Sequence, residues 1–116
     1  MLDRSEQQKK AILEILGVVV NVKTLTWIEK IKNPKILEDA VGSEEFTEVM
    51  RIYRLIPHHT WVNYKAMGVR FQAEQELLET AIKAFLFKLK YLVKYESKSN
   101  EPIEGDFDCN PFLHDE

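Results

Sequence analysis

Eight side chains of the kinds that hold charged groups crowd into one stretch: Arg51, Arg54, His58, His59, Trp61, Tyr64, Lys65 and Arg70. Guanidinium and ammonium groups beside aromatic faces suit an anion that carries a flat ring, because the cations neutralise charge while the rings stack. A small anionic or nucleotide-like ligand is the chemistry this cluster offers. A structural reading competes with it, in which Trp61 and Tyr64 anchor a core and the charges form a solvated face. The sequence favours the structural reading. Metal binding has little support. His58 and His59 are adjacent, so on a helix they point about 100° apart, and neither has a Cys or carboxylate three or four residues away. We expect no metal and no cofactor. The four glycines are scattered and build no phosphate-cradling loop. The one cysteine, Cys109, lies in an acidic stretch without the fixed base and positive surroundings that activate a thiol. No constellation of catalytic side chains stands out, and we expect a protein that is not an enzyme.

One segment carries a resemblance. Arg54-Leu55-Ile56-Pro57-His58-His59-Thr60-Trp61 resembles the motif of the HEPN family of helical RNases, an Arg and a His separated by four to six residues. The resemblance implies a dimeric helical bundle in which Arg54 and His59 act on the scissile phosphate and 2′-hydroxyl of RNA, with Trp61 as the aromatic that often follows. Leu55 stands where the family usually has a polar residue, and Pro57 falls inside the motif.

The elements that must position these groups read as helices. Thr60 to Tyr95 holds no proline and one glycine, Gly68, and its spacing predicts a single long helix. Leu77, Leu78, Ala81, Ile82, Ala84, Phe85, Leu89, Tyr91, Leu92 and Val93 spread over more than half its circumference. A surface helix needs an apolar stripe only a little over about 100° wide. This helix is therefore expected to be covered from two sides, by the middle helices or by a second copy. Two residues break the pattern: Phe87 projects from the polar arc and Lys88 from the apolar one. The lysines Lys83, Lys88, Lys90 and Lys94 suit a helix C-terminus, and Phe87 is a candidate partner or dimer contact.

Toward the N-terminus, Ser5 is the expected cap of a helix whose apolar face runs through Ile12, Leu13, Leu16, Val19, Val20, Trp27 and Ile31. The β-branched run from Val18 to Thr26 offers a strand instead. We favour a helix with a weak or kinked segment near Gly17–Thr24, ended by Asn33-Pro34. Pro34 opens a short helix over 35–41, closed by Gly42. Ser43 caps the next, with Phe46, Val49, Met50 and Tyr53 facing inward and Pro57 stopping it. The expected fold is all-α: a bundle over residues 1–97, built on two long antiparallel helices with short helices between them. A disordered acidic tail, 98–116, follows.

Charge separates the two parts. Residues 101–116 carry six acidic side chains and no Lys or Arg, and subtracting that −6 from the total of −3 leaves +3 on residues 1–100. Neither value makes a basic patch, which argues against nucleic-acid binding. The tail alternates acids with Ile103, Phe107, Phe112 and Leu113, a composition typical of docking peptides. It is similar to the acidic tails of single-stranded-DNA-binding proteins, and it contains Asn110-Pro111-Phe112, the tripeptide that EH domains recognise. A lone cysteine, an N-terminus unlike a signal peptide and no apolar run long enough to span a bilayer point to a cytoplasmic protein without membrane contact. The expected function is protein–protein interaction as an adaptor, inhibitor or assembly factor, with a homodimer or higher oligomer as one assembly. Phe87, Phe107, Phe112 and Leu113 are the expected contact residues.

Overall fold

The computed structural model describes residues 3–96 and Phe112. Among these residues six α-helices follow in order: α1 (Arg4–Leu16), α2 (Val22–Glu29), α3 (Pro34–Val41), α4 (Glu44–Tyr53), α5 (His58–Trp61) and α6 (Gln72–Glu96). Two 3-10 turns, Tyr64–Ala66 and Gly68–Phe71, join α5 to α6. The described residues form no strand, and the fold is all-α.

Local chemistry sets the boundaries. The Asp3 carboxylate caps α1 by accepting from the Glu6 N–H at 2.9 Å and from the Ser5 hydroxyl at 3.0 Å, so Ser5 lies inside the first turn. The backbone N–H of Gly17 donates to the Leu13 carbonyl at 2.8 Å where α1 ends. The Asn21 side chain then accepts from the Thr24 N–H at 2.9 Å and starts α2. The N-terminal helical pattern is thus carried by two helices with a break at Gly17–Asn21, inside the segment expected to be weak. β-branched residues and a capping carboxamide both favour leaving the helix there. Of the rival strand pattern, the described residues retain an isolated antiparallel bridge between Val20 and Phe112.

The middle of the chain follows its signals closely. Asn33 accepts from the Lys35 N–H at 2.9 Å, with Pro34 opening α3. The Ser43 hydroxyl accepts from the Phe46 N–H at 3.2 Å and donates to the Ala40 carbonyl at 2.7 Å, tying the end of α3 to the start of α4. The C-terminal helix departs from expectation, because α6 begins at Gln72 and not at Thr60. Gly68 has φ +68°, a left-handed conformation that no continuing helix contains.

At 25 residues, α6 is about 38 Å long. It packs along α4 and α3, while α1 lies against α3 and α2. Leu78, Ile82, Phe85, Leu86 and Leu89 of α6 meet Phe46, Val49 and Ile52 of α4, Ile36 and Leu37 of α3, and Ile12 and Leu16 of α1 in one buried cluster. The Phe46 and Phe85 rings lie 5.1 Å apart between centroids. Met50 and Tyr53 are half-buried at its edge. Phe112 joins the same cluster. Among the described residues, no helix is long and apolar enough to cross a membrane.

Candidate functional site

The Arg51–Arg70 stretch runs from the end of α4 through α5 and the two 3-10 turns to the start of α6; its contacts bring His58 and Trp61 to Tyr53, and Tyr64 to Gln75 and Glu79 of α6. Its aromatic members face inward. Trp61 is fully buried; its indole N–H donates to the Tyr53 carbonyl at 2.8 Å and its ring stacks on that of Tyr53, 12° from parallel. Tyr64 is buried as well, its hydroxyl donating to the Glu79 carboxylate while its carbonyl accepts from the Gln75 amide at 2.9 Å. Both rings are spent on holding α5 and the turns against α4 and α6, so neither offers a platform to a ligand.

The polar members are accounted for differently. The Tyr53 hydroxyl shares a hydrogen bond with Nδ1 of His58, and burial pushes the Tyr53 phenol up, with the negative charge of Glu14 adding to it. Arg51 makes a two-point contact with Glu48, Nη2 to Oε2 at 2.6 Å and Nε to Oε1 at 3.1 Å. That hydrogen bonding holds the Glu48 carboxyl below, and the Arg51 guanidinium above, its ordinary value. Both groups are exposed, so the pair adds little stability. The Arg70 guanidinium lies over the Phe71 ring, 5.5 Å from its centroid. Arg54, His59 and Lys65 are exposed. Arg54 ends α4 and His59 belongs to α5, with a turn through Leu55–Pro57 between them. No group of three or more His, Cys, Asp or Glu side chains among the described residues is placed to hold a metal.

A second feature lies on the opposite side of α6 from the core. Leu77, Phe87, Tyr91 and Tyr95 are 50%, 72%, 58% and 56% exposed, and Ala84 is exposed beside them. At about 100° per residue these five fall within an arc of about 80°, facing away from Leu78, Ile82, Phe85 and Leu89. Tyr91 and Tyr95 stack with centroids 5.9 Å apart and planes 12° from parallel. The Lys88 ammonium sits over the Tyr91 ring, 5.8 Å from its centroid. Beside this stripe, Lys88 and Leu92 of α6 and Asp39, Ser43, Glu44 and Glu45 line an open groove of about 440 Å³.

The stripe resolves a puzzle in the sequence. The wide apolar arc is two tracks one residue apart: Leu78, Phe85 and Leu92 are buried, whereas Leu77, Ala84 and Tyr91 are exposed. Phe87, anomalous on the polar arc, belongs to the exposed track. Leu77, Ala84, Tyr91 and Tyr95 were not singled out by residue type, although the seven-residue spacing of the first three was readable.

Of the expected tail contacts, Phe107 and Leu113 lie outside the described residues, as does the tail's expected disorder. Phe112 is 5% exposed and bridges Val20, so as placed it contributes to the core and presents little surface to a partner. Comparison with protein-family models, curated proteins and solved structures finds no significant match.

Proposed function

We propose that this chain is a non-enzymatic helical protein that works through protein–protein contact, as an adaptor, inhibitor or assembly factor, with the exposed stripe of α6 as its contact surface. The observation that carries this reading is the alignment of Leu77, Phe87, Tyr91 and Tyr95 on one solvent-facing line. Single exposed apolar side chains are ordinary. Four of them in register on a rigid helix, three aromatic, make a contiguous patch of the composition found at interface centres. Tyrosine suits such a place because its ring buries while its hydroxyl stays wet.

The test is affinity capture from cells that make the protein, comparing the wild type with Phe87→Glu/Tyr91→Glu. Both positions are exposed, so the variant should keep its helical circular dichroism. A specific partner should be retained by the wild type and lost by the variant. Identical capture by both would refute the stripe as the contact. Phe107→Ala and Leu113→Ala probe the tail in the same assay. Truncation after Lys98 is the poorer probe, since it also removes the buried Phe112.

A further inference from the structure

We infer that one partner of the α6 stripe is a second copy of the same helix, lying antiparallel across a two-fold axis near Ala84. This rests on the contact reading above and adds the partner's identity and register. Along α6, residues 72–80 carry Glu74, Glu76 and Glu79 and no Lys or Arg, whereas 81–95 carry Lys83, Lys88, Lys90 and Lys94 and no Asp or Glu. The helix dipole favours that segregation by itself. It does not explain why Leu77, Ala84 and Tyr91 repeat every seven residues on the solvent side. A seven-residue apolar repeat is the spacing at which two helices keep one seam in contact.

Antiparallel pairing satisfies both features at once. With Ala84 opposite its own copy, Leu77 of one chain lies opposite Tyr91 of the other, and the small Ala84 lets the helices approach. Phe87 then enters the space beside Thr80 and Ala84 of the second copy. On one flank Glu76 falls opposite the level between Lys90 and Lys94. Parallel pairing would instead gather the lysines of both copies along the C-terminal half, with the glutamates at the other end. Lys83 is the one charged group of α6 that the axis brings near its own copy, so a neutral residue there should tighten the pair. The seam runs from Leu77 to Tyr95, about 27 Å. That is a small footprint for a specific interface, so the pair should be dynamic, half-formed at micromolar to sub-millimolar concentration.

The decisive experiment uses the full chain with Cys109→Ser, which removes its one native thiol. Leu77→Cys and Tyr91→Cys chains are mixed in equal amounts, oxidised gently and weighed by mass spectrometry. Disulfides between 77 and 91 should exceed the 77–77 and 91–91 products several-fold, because only the mixed pair is in register. Sedimentation then tests the charges: Glu76→Lys and Lys94→Glu should each weaken association by about tenfold, counting both symmetric pairs, and the double variant should restore it. Predominant 77–77 and 91–91 products would overturn the antiparallel register. A wild-type chain that stays monomeric to several hundred micromolar would overturn self-pairing altogether. Capture of another protein through Phe87 and Tyr91 would in that case leave the proposed function standing, so the two readings fail separately.

Discussion

At the scale of single residues, burial decided roles that residue type left open. Trp61 and Tyr64 have the chemistry of a ligand platform, yet their polar atoms close on Tyr53 and Glu79 and their rings are buried. The sequence favoured that outcome because both lie in a helical pattern with apolar neighbours. Nothing local in it marked Phe112 as a core residue, since its burial depends on a long-range return to Val20. Two side chains permit direct checks. The Thr24 hydroxyl is fully buried and without a hydrogen-bond partner among the described residues. Thr24→Val keeps its shape and removes the orphaned group, and should raise unfolding free energy by about 1 kcal/mol in urea titration. The Asp3 carboxyl is held below its ordinary value, chiefly by the Glu6 N–H and then by the Ser5 hydroxyl. Its capping contribution is therefore complete above the unfolded value of about 3.9 and is lost as pH falls through and below it. The first turn of α1 should fray in that window, read by faster exchange of the Glu6 amide relative to the middle of the helix.

At the scale of elements, helix type and the middle boundaries were legible because caps are local. Asn33-Pro34, Ser43 and Pro57 each act within one turn of themselves, and α3 and α4 start and stop beside them. Lengths were less legible, for a physical reason. An apolar period continues through a break wherever the next element buries the same side, so residues 60–95 read as one helix although Gly68 turns left-handed within it. Gly68→Ala should cost about 1–2 kcal/mol, since nothing crowds the position and the penalty is the backbone conformation alone. A urea midpoint equal to or above that of the wild type would show that the segment can instead extend α6 toward its N-terminus. The two apolar tracks of α6 were present in the sequence as a single wide arc. Only the packing of α3 and α4 on one of them reveals which track is left over.

At the scale of the molecule, one end of the chain closes the core laid down by the other. Phe112 packs into the same cluster as the residues of α1 and α6. Phe112→Ala should destabilise the whole bundle by about 3 kcal/mol, measured by chemical denaturation; a change under about 0.5 kcal/mol would show that the ring adds nothing to the fold. The other consequence is an asymmetric surface, with α6 buried along one side and carrying aromatic residues along the other. The central claim is that this second side makes contact with a second copy of the chain. A residue-resolved NMR dilution series of the wild-type chain tests it most directly. The account predicts that the resonances of Leu77, Ala84, Phe87, Tyr91 and Tyr95 move with concentration, while those of Arg51, Arg54, His59 and Lys65 stay fixed. Shifts confined to the junction around Arg54 and His59, or an α6 stripe unchanged up to millimolar concentration, would contradict it.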